Sequence, residues 1–374
     1  MDFSRLAAFL DRLPPRGIPG VDCAVTLDGE TVFRHGAGEF SEDALYFIYS
    51  ASKPITCTAA LQLYERGDFL LNTQVREFLP EYADVTVRHR LPDGSEEIRP
   101  ATRPVLMRDL FAMSAGLTYD TNSPAFQELN ARTNGAPTTR EVAAAMAKSP
   151  LMFEPGEHWN YSMCHDVLAA VVEVISGKRF SDYLQENIFD PVGMPDTGCV
   201  VRFPEEKRAR LAKQYAFDEK EKRAHEIESR CTFDLGPNHE SGGGGLYSTL
   251  TDYTAFAAAL ANDGMTKSGK RLLSPATINL MRTNMLSEQA TRDVNWIQLD
   301  GYGYGLGVRT MIDKAIGGSN GSLGEFGWSG MAGAYLMVDP DRRLTVTYMQ
   351  HMVNNLEAYT HPRLRNITYA CLEA

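Results

Sequence analysis

Segments that favour β-strands stand at the two ends of this chain, and segments that favour helices fill the space between them. Residues 22–27 and 30–35 flank Asp28-Gly29, a pair that accepts the positive φ angles of a two-residue hairpin turn. Near the other end, Phe326-Gly327-Trp328-Ser329-Gly330 leads into the apolar run 334–338. Asp339-Pro340-Asp341 turns the chain, and residues 344–349 make the next β-prone run. A lone hairpin is marginal in water, so strands from the two ends gain most by sharing one sheet. The expected fold class is therefore α/β (α+β). Residues 1–60 and 300–374 form an α/β sheet lobe, and residues 61–299 form an inserted, mainly helical lobe.

The helical segments have clear limits. Phe3, Leu6, Phe9, Leu10 and Leu13 recur at helical spacing within residues 2–13, and the Pro- and Gly-rich stretch 14–20 breaks that helix. Helices are expected over 108–113 and over 139–147, the second capped by Thr138 or Thr139. A third covers 164–176 and ends at Gly177, and a fourth covers 180–189. The charge run at 205–230, centred on Glu219-Lys220-Glu221-Lys222-Arg223, reads as a solvated connection or hairpin. No Lys-Ser/Thr follows Gly242-Gly243-Gly244-Gly245, so these glycines suit close backbone approach rather than a phosphate. Thr249-Leu250-Thr251-Asp252 has a capping-box pattern ahead of an apolar helix through Leu260. A last helix is expected from about Pro362 to Leu372.

Composition narrows the partners. A net charge of −11 argues against nucleic acid and against anionic membrane surfaces. No apolar run approaches the ~20 residues that span a bilayer. The first thirteen residues lack the basic head and unbroken apolar core of a secretion signal. The six cysteines are scattered without a Cys-x-x-Cys pair, which favours free thiols in a reducing compartment over a disulfide framework or a zinc site. The expectation is a cytoplasmic protein with no cofactor, no metal, and neither nucleic acid nor membrane as a partner. Its oligomeric state is unknown from sequence.

Ser50-Ala51-Ser52-Lys53 lies between the apolar run 45–49 and the helix-prone run 55–64. Residues three apart on a helix share a face, so Ser50 and Lys53 point the same way. A serine hydroxyl is a poor nucleophile until a neighbour takes its proton, and a lysine held neutral can do so. Pro54 is compatible, because proline is tolerated in a first helical turn. Taken alone, such a pair is more often a surface Ser and Lys near a helix start. The motifs later in the chain, and their order, change that reading.

The chain resembles the serine β-lactamase-like hydrolases: class C β-lactamases, D-alanyl-D-alanine carboxypeptidases (penicillin-binding proteins) and family VIII esterases. Ser50-x-x-Lys53 looks like their nucleophile motif. Glu154-Pro155-Gly156-Glu157-His158-Trp159-Asn160-Tyr161-Ser162 is similar to their second motif. Trp328-Ser329-Gly330 stands where the family has Lys-Thr-Gly, His-x-Gly or Trp-x-Gly. Met113-Ser114-Ala115-Gly116-Leu117, residues 188–194 and residues 243–249 match lesser landmarks in the same order. The resemblance spans roughly residues 20–350. It implies a β-lactamase/transpeptidase-like fold with the active site between the lobes and an acyl-enzyme on Ser50. Lys53 and Tyr161 would share the proton handling, with either one as the base. The backbone N–H groups of Ser50 and Met331 would form the oxyanion hole.

Two departures bear on substrate. Met163 follows Tyr161-Ser162 where lactamases carry an asparagine, and methionine cannot offer an amide to a substrate's amide side chain. Trp328 replaces the lysine of Lys-Thr-Gly and so removes the charge that holds a carboxylate. Both changes point away from β-lactams and toward small neutral esters. Trp328, Ser329, Gly330, Met163 and His165 are the expected substrate-pocket residues. His165 and Asp166 are adjacent and diverge by about 100° on a helix, which disfavours a metal or classical triad there. The expected activity is that of a carboxylesterase or ester-dependent acyltransferase on a small-molecule ester or amide. A β-lactamase or D-amino-acid peptidase is the same-class alternative, and a non-catalytic binding relative is the alternative of another class.

Overall fold

The computed structural model describes residues 1–91, 93–233 and 235–373. Its main sheet has seven strands: β1 (Gly20–Leu27), β2 (Glu30–Gly38), β3 (Tyr302–Tyr304), β4 (Arg309–Met311), β5 (Phe326–Ser329), β6 (Tyr335–Asp339) and β7 (Leu344–Met349). Their order across the sheet is β3-β4-β5-β6-β7-β1-β2, and each neighbouring pair is antiparallel. The early hairpin is thus sewn onto the late strands through β1 and β7, with Asp22 opposite Met349 and Leu27 opposite Leu344. Asp28 and Gly29 both take positive φ in the turn, as the Asp-Gly pair predicts. β3 and β4 were not expected from sequence. The glycines of β3, in Tyr302-Gly303-Tyr304-Gly305, weaken its strand signal, and β4 is only three residues long.

Apart from the edge strand β2, both faces of this sheet are buried, and the period-two alternation divides the side chains between them. Val21, Cys23, Val25, Tyr335, Met337, Val346 and Tyr348 belong to a cluster with Leu6, Phe9 and Leu10 of helix α1 (Ser4–Leu10). Ala24, Leu336 and Val338 face the opposite way, into the main core. That core holds α2 (Lys53–Glu65), α3 (Cys164–Ser176) and α4 (Leu250–Ala261). α4 lies against β7, β1 and β6, and Thr249 caps it by accepting from the Asp252 N–H at 3.1 Å. Gly177 ends α3 in the left-handed conformation, as its position predicts. No helix among the described residues is long and apolar enough to cross a membrane.

Several expectations shift in detail. The apolar run at 45–49 supplies only a two-residue strand, Tyr46–Phe47, which pairs with Leu246–Ser248 in a separate small sheet. Burial of the whole run explains its uniform apolarity. The charge run forms a hairpin, Gln214–Asp218 with Arg223–Ile227. The segment 180–189 begins as an α-helix but widens to a π turn over Gln185–Phe189. The last helix, α5 (Glu357–Leu372), starts one turn before Pro362. Pro362 lies inside this helix, where its missing N–H leaves the Ala358 carbonyl without its intrahelical bond. That extra turn places Glu357 at the helix N-terminus.

Candidate active site

The chain enters the site through a strained residue. Tyr49 holds φ at 46°, a conformation that costs a bulky residue free energy. Its hydroxyl fixes it by donating to the Arg230 carbonyl at 3.1 Å and accepting from Gln214 Nε2 at 2.5 Å. Ser50 follows in a tight 3-10 turn, Tyr49–Ser52, and Lys53 opens α2. The expected shared helical face is therefore met by two stacked helix types, with the same three-residue spacing. Lys53 is fully buried. Its Nζ donates to Ser50 Oγ at 3.2 Å, to Tyr119 Oη at 3.3 Å and to the Gly243 carbonyl at 2.6 Å. Three oxygen atoms thus surround the nitrogen.

Gly243 makes the shortest of these bonds available. A Cβ there would lie 2.5 Å from Asp166 Oδ2 and 3.6 Å from Lys53 Nζ. The glycine run is thus a close-approach loop, as its composition suggests. Asp166 is buried and accepts from Ser241 Oγ at 2.6 Å, and His239 Nε2 stands 3.6 Å from it.

Tyr161 stands on the other side of the lysine. Lys53 Nζ lies 4.5 Å from its ring centroid, and Trp328 Nε1 donates to its hydroxyl oxygen at 3.0 Å. A cation over the ring and a donor on the oxygen both place positive charge density beside Tyr161. Tyr119 packs 5.8 Å from Tyr161, ring to ring. Burial, reinforced by the neighbouring Tyr161 oxygen, pushes the Tyr119 hydroxyl well above the usual tyrosine range. Tyr119 is therefore a neutral hydroxyl beside the lysine.

Ser50 and Tyr161 both line a cavity of about 490 Å³. Trp328, Ser329, Gly330 and Met163, four of the five residues expected to line the pocket, line it too, and so does Met331. Gly330 ends β5 against the nucleophile turn: a Cβ on it would overlap the Ile48 carbonyl oxygen. Asn355 ties this strand end to α5. Its Nδ2 donates to the Gly330 and Met331 carbonyls at 3.2 and 2.8 Å, and its Oδ1 accepts from the Glu357 N–H at 2.9 Å.

His165 departs from expectation: it is fully buried and does not line the cavity. Its Nε2 lies 3.2 Å from the Phe111 carbonyl, and the ring packs on Cys57. As the second residue of α3 it points into the core beneath Lys53. Burial, helped by the Lys53 charge, pulls it down to about 3 from 6.5. The neutral ring is required by the fold, so its stabilising effect is present above pH 6.5 and is lost as pH falls toward 3. From pH 6.5 to pH 5 this one site costs about 2 kcal/mol. Chemical denaturation of a His165→Gln variant, which cannot titrate, is expected to show a shallower acid slope by that amount.

Sequence reasoning missed Tyr119, His239, Trp296 and Glu357, all of which line the cavity. Tyr119 sits just past the Gly116-Leu117 turn, and that position was its only signal. Trp296 and Glu357 lie in stretches with no motif.

Comparison with known proteins identifies the family and the fold. The Beta-lactamase family model matches residues 6–368. Protein Rv1367c of Mycobacterium tuberculosis is 32% identical over 329 residues, covering 83% of this chain and 78% of that protein. Esterase EstB of Burkholderia gladioli is 29% identical over 383 residues, covering 92% of this chain and 90% of its own. Simvastatin synthase (LovD) of Aspergillus terreus, in a LovD6 mutant structure, superposes with a TM-score of 0.80 at 21% identity, covering 98% of this chain and 94% of that one. The fold is thus β-lactamase/transpeptidase-like, and the chain belongs to the Beta-lactamase family.

Proposed function

We propose that this protein is a serine hydrolase that forms an acyl-enzyme on Ser50, and that it acts as a carboxylesterase or ester-dependent acyltransferase on small esters. The observation that carries this reading is the 3.2 Å contact of Lys53 Nζ with Ser50 Oγ on the floor of an aromatic cavity. Ser50 Oγ attacks the ester carbonyl, and its proton passes to the Lys53–Tyr161 pair. The N–H groups of Ser50 and Met331 hold the oxyanion. The alcohol leaves with the returned proton, and water or a second alcohol then takes the acyl group. Tyr119 keeps its own proton and orients the lysine.

Esters are favoured over β-lactams by Met163 and Trp328, which remove an amide and a cation from the pocket. The name of the EstB relative supports the same choice. The six cysteines are free and buried, which supports a reducing compartment, the cytoplasm, as the place of action.

A fluorophosphonate probe followed by mass spectrometry is expected to label the peptide that carries Ser50. Turnover of a p-nitrophenyl ester is expected to exceed that of a chromogenic cephalosporin by roughly 10²-fold or more. An unlabelled Ser50 would leave a non-catalytic binding protein, and the reverse ratio would make it a β-lactamase.

A further inference from the structure

Both polar side chains of the Trp328-Ser329-Gly330 strand are already committed. Trp328 Nε1 donates to Tyr161, and Ser329 Oγ donates to Glu357 Oε2 at 3.1 Å. Neither hydroxyl nor indole N–H remains to bind a carboxylate on a substrate. In place of a cation, the cavity wall here carries a carboxylate, because Glu357 itself lines it.

Glu357 has acceptor capacity to spare. Gln298 Nε2 donates to its Oε1 at 2.8 Å, and with the Ser329 bond this fills two of about four lone-pair sites. The side chain keeps 28% exposure. The two buried guanidinium groups behind it face other partners: Arg365 lies over the Tyr302 ring, 5.1 Å from its centroid. Arg309 is bound to Glu325, Tyr335 and the Leu336 carbonyl. His361 Nδ1 is 3.8 Å from Oε2, but burial, with Arg309 and Arg365 nearby, holds that ring well below the usual histidine range and therefore neutral. Burial raises Glu357 itself, and the Ser329 bond, the Arg309 charge and the Gln298 bond oppose this and favour the carboxylate.

The turn that carries Gln298, Ile297–Leu299, follows directly on Trp296. The Trp296 ring lies 5.2 Å from Tyr161 and 5.9 Å from Trp328, and it also lines the cavity. Aromatic faces beside a carboxylate are the surroundings that attract an ammonium group. An anion placed there meets a like charge, and a neutral group leaves acceptor sites unused.

We infer that the cavity end formed by Trp296, Trp328, Ser329 and Glu357 binds a cationic group, so that the preferred esters carry an ammonium in their alcohol or acyl part. This deepens the ester reading of the same site and rests on it.

The test reads binding apart from turnover, using the Ser50→Ala protein and titration calorimetry. Two pairs of esters serve as probes. One pair is butyrylcholine and its analogue with a tert-butyl group in place of trimethylammonium. The other pair carries the same exchange in the acyl part of an ethyl ester. The cation of at least one pair is expected to bind roughly tenfold tighter than its isostere. This is a demanding outcome, because the carbon isostere gains more from apolar burial. Adding Glu357→Gln is expected to bring that ratio to about one. Equal or weaker cation binding in both pairs overturns the inference, as does a preference that survives Glu357→Gln. The comparison within the Ser50→Ala protein stands by itself should the second variant not fold. A wild-type enzyme that turns over no ester would end the hydrolase reading and leave this binding readout intact.

Discussion

Ser50→Ala is expected to abolish turnover of a small p-nitrophenyl ester, and Lys53→Met is expected to do nearly the same. In the proposed mechanism Ser50 supplies the attacking oxygen. Among the described residues, the only other hydroxyl bonded to Lys53 is that of Tyr119, which burial keeps protonated. Groups that act as one unit are not additive, so each single loss is expected to cost on the order of 10⁴–10⁶ in kcat and the double loss no more than the larger single one. Methionine fills the fully buried Lys53 site without adding a charge. Circular dichroism and kcat on the three variants check the claim together. Undiminished hydrolysis by folded Ser50→Ala protein would remove the nucleophile from the account.

Gly330→Ala is expected to be the next most damaging change, although it adds a single methyl group. That methyl overlaps the Ile48 carbonyl oxygen, two residues before the nucleophile. The strand end must then move away from the turn. Gly330 is held where it is by its N–H bond to the Ala334 carbonyl at 2.7 Å and by Asn355. Displacing it also moves the next residue, Met331, whose N–H is one of the two proposed oxyanion donors. Losing one oxyanion donor costs on the order of 10²–10³ in rate, and the overpacking costs about 1–3 kcal/mol of stability. Kinetics and thermal melting on the same preparation separate the two. A variant that keeps full kcat would place the oxyanion donors elsewhere.

The sheet built from both ends was legible in sequence because its signals are local. Asp28-Gly29 needs only its own two φ angles, and the run 344–349 needs only β-branched residues. Ser50, Lys53, Tyr161 and Trp328 were legible because each sits in a short motif at a preserved order. Tyr119 and Glu357 were not, because they reach the cavity through tertiary folding alone. Tyr119 arrives on a loop, and Glu357 arrives on a helix whose start was expected five residues later, at Pro362. A proline reads as a helix boundary in one dimension, but here the Asn355 side chain nucleates the first turn ahead of it. His165 was misplaced for a related reason. Its neighbour Tyr161 lines the cavity, but four residues on, α3 has turned the ring inward.

The pairing of β1 with β7 also sets a timetable for the protein's birth. Thr26 and Thr345 touch across that seam, 319 positions apart. A ribosome adding roughly 5–20 residues per second needs on the order of 15–60 s to bridge them. For most of that interval Ser50, the proposed nucleophile, has been made and strand β5 has not. A nascent chain therefore carries the β1–β2 hairpin with an unmet sheet edge, and it depends on protection from aggregation until its tail emerges.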